Sequence, residues 1–261
     1  YYTIIQRTVT GLSDKLTGSC RISAGKPPGR YNEARKNRMI RVELHCHTHY
    51  SVDSLVKPAD LVAQARRIGL DRVAITDHNS IRGALEAQQL DPELVVIGEE
   101  IQTTHGELLA YFVTEEVPAG LSPQETLERL KSQGAVISVS HPFDPQRSGW
   151  SLQDLLFLVG QVDALEVFNS RCLSVGMNRR AAEFARQHGL PGTVGSDAHS
   201  LVELGRSTLR LPPFQSAGGM RSALAVAEME VNMSSVFIHL TSSWARLVKR
   251  LRRRTGEGMS H

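Results

Sequence analysis

Three histidines, a cysteine and an aspartate fall within nine residues, HCHTHYSVD at 45–53, in a chain that has ten histidines in 261 residues. Imidazole and carboxylate are the ordinary ligands of divalent ions, so such crowding is what a metal site looks like when read along a chain. On a strand, His45 and His47 would face one side, roughly 7 Å apart along it, and Cys46 the other. Two imidazoles so placed can grip one ion, and Cys46 is then expected to pack in the core. Asp197 and His199, in GSDAH, repeat the i, i+2 spacing. His49 falls past the expected strand end and is retained only as a substrate contact.

The elements that would have to position these residues alternate. Apolar, β-rich runs occur at RVEL, RVAIT, LVVIG, LLAYFV, AVISVS, ALEVF and GTVGS. Between most of them lie helical patterns, KPADLVAQARRIG, SPQETLERLKSQG, SLQDLLFLVG and SVGMNRRAAEFARQHG. Ser122-Pro123 opens one helix, and Gly134 and Gly189 are stops. This alternation predicts an α/β fold with a mostly parallel sheet, open or closed into a barrel. Functional groups in such sheets gather at the C-terminal ends of the strands. The exits deliver His45 and His47, Asp77-His78, Glu99-Glu100, His141, Asn169 with Arg171, and Asp197 with His199; only LLAYFV differs, because its polar neighbours His105 and Glu107 precede it. One histidine at a strand end would be unremarked. Five of the ten at strand exits are not random placement.

Composition sets the frame. With 41% hydrophobic and 22% charged residues the chain is ordinary for a globular protein with a sizeable core, and its length suits one main domain. The net charge of +3 is unevenly spread. Residues 1–38 hold eight Lys/Arg against two acids and 244–261 hold six against one, leaving the body at −8. An acidic body suits carboxylates gathered around cations, while basic ends suit solvated tails or contact with nucleic acid or anionic lipid. Cys20, Cys46 and Cys172 form no CxxC pair, which argues against a disulfide framework and fits a reducing compartment. No long apolar run predicts a membrane span, and no signal-peptide pattern opens the chain, so a cytoplasmic location is expected. Residues 1–38 read as a disordered leader, and Met39, which opens directly onto a strand, as a candidate initiator. A barrel is expected over 39–215 and a helical extension over 216–261. In the latter, Trp244, Leu247, Val248 and Leu251 form an apolar stripe that predicts packing on the barrel, backed by a basic tail.

Five motifs in order, ELHCHTHYSVDS, TDHNSIRG, GEEIQTTHGELLAYF, SHPFD and GSDAHS, resemble those of the polymerase and histidinol phosphatase (PHP) superfamily, over residues 41 to about 206. The resemblance implies a distorted (β/α)7 barrel with two or three metal ions at the strand C-termini, hydrolysing phosphoesters. It also implies the ligands: His45, His47, Asp53, His78, Glu100 as a bridging carboxylate, His141, Asp197 and His199. Glu107 stands where many relatives carry histidine, with His105 as its competitor. Carboxylates at 53 and 107 shift the preference toward Mn²⁺, Fe²⁺ or Mg²⁺, while Zn²⁺ stays open.

The expected reaction is hydrolysis of a phosphomonoester or phosphodiester of a small metabolite or nucleotide by a metal-bridging hydroxide. The expected supporting roles are Arg171, and less so Arg147, for phosphate; Asn169 for orientation; and Asp77 as hydrogen-bond partner of a ligating imidazole. The alternatives are an exonuclease acting on RNA or DNA ends at the same site, and a non-catalytic metal-binding module serving a partner protein.

Overall fold

The computed structural model describes residues 39–147 and 149–255. The leader expected over 1–38 lies outside the described residues.

Strand β1 (Ile40–Glu43) opens the fold, followed by α1 (Pro58–Arg67), β2 (Arg72–Ile75), α2 (Arg82–Leu90), β3 (Val95–Gln102) and β4 (Glu107–Tyr111). Then come α3 (Pro123–Ser132), β5 (Val136–Val139), α4 (Leu152–Leu158), β6 (Ala164–Asn169), α5 (Val175–His188), β7 (Gly192–Gly195) and β8 (Thr208–Leu211). Helix α6 (Ala217–Leu224), β9 (Glu228–Glu230) and α7 (His239–Thr255) complete it. Local chemistry explains several boundaries. Ser122 and Glu125 form a reciprocal capping box ahead of Pro123, which satisfies donors that the first turn of α3 would leave orphaned. Gly189, at φ 66°, ends α5 in the left-handed conformation that L side chains resist. Helix α2 carries no such punctuation, and the sequence pattern did not announce it.

The nine strands form one sheet in the order β7-β6-β5-β4-β3-β2-β1-β8-β9. Beyond their strand ends, Cys46 and Ala198 bridge in parallel, bringing the β1 side of the sheet to the β7 side. The result is a nearly closed, barrel-shaped α/β sheet, as expected. Strands β1-β2-β3 and β5-β6-β7 run parallel. Strand β4 does not: it follows β3 with no helix between them and is antiparallel to both β3 and β5. Its start therefore lies where its neighbours end, and Glu107 pairs with Gln102. The one run whose polar residues came first thus obeys the same spatial rule as the rest.

Helices cover the outside of the sheet through residues such as Leu61 of α1 and Leu127 and Leu130 of α3, all essentially buried. Each contributes about 1.5–3 kcal/mol by leaving water. Two expectations for the C-terminal segment need correction. It is not wholly helical, because β9 pairs with β8 and extends the sheet. Nor does the apolar stripe pack on the barrel: Trp244 is 62% exposed, Leu247 47% and Leu251 51%. The buried face of α7 carries Ser242 and Ala245. Periodicity located the stripe correctly, but it cannot say which way a helix face turns. Among the described residues, no helix is long and apolar enough to cross a membrane.

Candidate metal centre

The chain just past β1 carries His45 and His47 into the barrel mouth, both fully buried. Between them Cys46 faces away, its Sγ donating to the Ala74 carbonyl at 3.3 Å. Gly195 explains how β7 comes so close. A Cβ there would lie 2.3 Å from His45 Cβ and 2.8 Å from Glu166 Oε1. Two further side chains of the centre leave backbone with positive φ, His141 at 23° and Asp197 at 52°. Conformations of that kind are costly and cluster at functional sites.

Glu100 sits at the middle. Its Oε1 is 3.0 Å from His141 Nε2, and its Oε2 is 3.1 Å from His78 Nδ1, 3.3 Å from His45 Nε2 and 3.5 Å from His47 Nε2. Asp197 Oδ1 stands 3.3 Å from His47 Nε2 and 3.4 Å from His199 Nδ1, and Asp53 Oδ1 stands 3.1 Å from His199 Nε2. Glu107 reaches His141 at 3.3 Å and His78 at 3.7 Å. All nine side chains expected as ligands therefore meet in one place. His105 does not: it is exposed and bonded to Asp154 at 2.8 Å, whereas Glu107 lies within the cluster.

Three groups have ligand atoms within 4.8 Å of one another: His45, His47 and Asp197; His47, His78 and His199; and His78, Glu100 and Glu107. His45 Nε2, His47 Nε2, Asp53 Oδ1 and Glu100 Oε2 are buried and lack a hydrogen-bond partner. Orphaned polar atoms of this kind cost about 1–3 kcal/mol each, and here they converge on one centre. That arrangement fits divalent ions, because a cation supplies the missing partner for imidazole lone pairs and carboxylates together.

Without a cation, these groups neutralise one another. Burial opposes charge on Glu100, but the His45 and His78 rings hold its carboxyl well below the usual range. Burial likewise opposes charge on His78, yet Glu100, Asp53 and Glu107 push it up to about 10. His47 goes the other way: burial, and then the charges of His199 and His78, press it well below the usual imidazole value. Metal binding requires neutral imidazoles, so it must displace protons here.

Outer partners set the ring tautomers. His45 Nδ1 donates to Glu166 Oε1 at 2.9 Å and His199 Nδ1 to the Asp197 carbonyl at 2.8 Å, leaving each Nε2 aimed inward. Asp77 was expected to bond a ligating ring directly. It acts instead through Ser51, whose Oγ donates to Asp77 Oδ1 at 2.6 Å and lies 3.0 Å from His47 Nδ1. Asn169 donates to both Glu166 and Asp197 at 3.2 Å, consistent with an orienting role. Arg171 departs from expectation. Its buried guanidinium donates to Ser242 Oγ at 2.7 Å and lies 3.4 Å from Glu203, which leaves it little freedom to bind phosphate. Arg147 is ion-paired with Asp197. The sequence reading missed Glu166 and Ser51. An acid within the apolar run ALEVF was the available clue to Glu166, since a buried carboxylate must find donors.

The described residues lining the open cavity above this centre, about 490 Å³ in volume, include Asp53, His78, Glu107, His141, Asp197 and His199. Residues 43–116 match the PHP domain model and 176–226 the PHP-associated model. An uncharacterized protein of Methanocaldococcus jannaschii is 40% identical over 144 residues, covering 82% of that protein and 50% of this chain.

The chain belongs to the PHP domain family.

Solved structures resemble this PHP chain in fold. One is a two-domain protein from Bacteroides vulgatus containing a predicted PHP-like metal-dependent phosphoesterase, with a TM-score of 0.62 and 21% identity over 74% of this chain and 65% of that one. Another is a lesion-specific endonuclease from Pyrococcus furiosus, with a TM-score of 0.54 and 19% identity over 73% of this chain and 57% of that one.

Proposed function

We propose that this PHP chain is a hydrolase of a phosphomonoester or phosphodiester borne by a small metabolite or nucleotide, working with two or three divalent ions. The observation that carries the reading is the set of buried, unpartnered ligand atoms beneath an open cavity. His45, His47 and Asp197 would hold one ion and His78, Glu100 and Glu107 a second; His199 with Asp53 would serve a third, and His141 Nε2 would add a donor beside Glu100 and Glu107. Bound there, divalent ions supply a nucleophile from water at neutral pH and cancel charge on phosphoryl oxygens.

The protein's own part is to fix the donors before substrate arrives. Glu166 accepts the Nδ1 proton of His45, which leaves Nε2 as the ring atom turned toward an ion. Ser51 relays Asp77 to His47 in the same way. Asn169 and Arg147 both engage Asp197 Oδ2, which leaves Oδ1 turned toward the histidines. The lining offers no Ser-His-Asp set or activated cysteine among the described residues: Cys46 and Cys172 are buried, and burial pushes both thiols up.

Elemental analysis of the purified chain, paired with a screen of aryl phosphates, phosphodiesters and nucleotides over several metals, tests the reading. Expected are two or three ions per chain and turnover that a chelator abolishes. Full metal occupancy with no turnover on any ester would reject it in favour of a binding module. Labelled RNA or DNA shortened from its ends, with rates falling steeply as salt rises, would instead support the exonuclease alternative. Arg246 of α7, which lines the same cavity, favours testing it.

A further inference from the structure

The cavity is not lined by imidazoles and carboxylates alone. Three arginines line it, Arg147, Arg171 and Arg246. Two are already engaged by the protein, Arg147 by Asp197 and Arg171 by Ser242 and Glu203. Arg246 is exposed and, among the described residues, has no hydrogen-bond or ion-pair partner.

Its position is fixed by what holds α7. Ser242, Ala245, Arg246 and Lys249 fall at i, i+3, i+4 and i+7, one helix face. Ser242 accepts from Arg171 Nη2 at 2.7 Å, and the same nitrogen donates to the Ile238 carbonyl at 3.4 Å. Two turns further on, Lys249 Nζ donates to the His49 carbonyl at 2.5 Å and to that of Ser51, in the loop between His47 and Asp53. Ala245, 3% exposed, lets the helix approach closely between these clamps. Arg246 is thus held over the cavity by contacts on either side while its own guanidinium stays uncommitted. Otherwise Asp53, Glu107, Asp144 and Asp197 give that cavity an acidic lining.

We propose that Arg246 is the phosphate-recognition residue of this site, binding oxygens of the substrate's phosphate in the cavity that it lines together with the ligand cluster. A guanidinium presents two parallel donors to phosphate, a match that an acidic wall cannot offer. The cavity volume suits a phosphorylated ligand of about mononucleotide size. Helix α7 starts at His239, beyond both family-matched segments, so neither match includes this contact. The inference builds on the phosphoesterase reading but can fail separately.

Calorimetric titration of the metal-loaded chain with inorganic phosphate is the test, run beside elemental analysis and aryl phosphate kinetics. Arg246→Gln is expected to weaken phosphate binding about 10-fold or more, with KM rising in parallel and metal content and melting temperature unchanged. Arg250→Gln, one turn along and outside the cavity lining, is expected to leave phosphate binding as it was. Three results would overturn the proposal: unchanged binding in Arg246→Gln, an equal loss in Arg250→Gln, or loss of metal in Arg246→Gln. If the parent binds phosphate through Arg246 yet cleaves no ester, the phosphoesterase reading fails and this one stands. If the parent cleaves esters and Arg246→Gln matches its KM, the reverse holds.

Discussion

Glu99 and Glu100 are neighbours on β3, both buried, and they face opposite sides of the barrel wall. On the inner side, Glu100 meets four histidines and is held well below the usual carboxylate range, its charge sustained against burial by His45 and His78. On the outer side, Glu99 finds one donor, the Val117 amide at 3.1 Å, and its Oε1 has no hydrogen-bond partner. Burial and the nearby Glu116 push its carboxyl up to about 8. The same residue type at the same depth is thus charged and poised on one face and neutral on the other. Burial alone does not mark a functional carboxylate; the company it keeps does.

The contrast can be broken most severely at its inner member. Glu100→Gln removes the carboxylate shared by His45, His78 and His141, and should lower metal affinity by more than about 100-fold, beyond the loss ordinary for an outer partner; elemental analysis after dialysis reads it directly. Gly195→Ala comes next, because the new methyl would collide with His45 Cβ and Glu166. Expected are a destabilisation of about 1–3 kcal/mol by denaturant unfolding and a fall in bound metal. Glu166→Gln is milder. It leaves the ligands in place but weakens the hold on His45 Nδ1, and should cost about 10–100-fold in metal affinity with no change in fold.

The outer face should yield the smallest effect, of opposite sign. Between its ordinary value of 4.5 and about 8, Glu99 keeps in the folded protein a proton that the unfolded chain has lost. Stability should therefore fall as pH rises through that window and level off above it. Glu99→Gln carries no charge and removes this slope. Melting curves should match the parent near about pH 5 and show the variant more stable by about 1–3 kcal/mol near about pH 9. A variant less stable than the parent at the alkaline end would show that Glu99 has a charged partner, and the contrast between the two faces would collapse.

Much of the inner face was legible along the chain because strand exits in an α/β sheet share one end. His45, His47, His78, Glu100, His141, Asp197 and His199 could be read from that rule, and the family resemblance added Asp53 and Glu107. The apparent exception before LLAYFV became a further case of the rule only when β4 proved antiparallel. Glu166 and Ser51 escaped notice because nothing local distinguishes an outer hydrogen-bond partner from any other polar residue. For Arg171 the sequence could not show that its guanidinium donates to Ser242, 71 residues away, since an arginine near a strand end can serve a phosphate or hold a helix.

The sequence by itself determined the alternation of strands and helices, the end of the sheet at which chemistry gathers and the side chains gathered there. These follow from periodicities of two and 3.6 residues and from the direction of the chain. Only the tertiary structure decided which polar atoms were left without partners, which arginines were already engaged and which face of α7 turned outward. Those are questions of what lies across a gap from a residue, and the neighbours that answer them are scores of positions away in the chain.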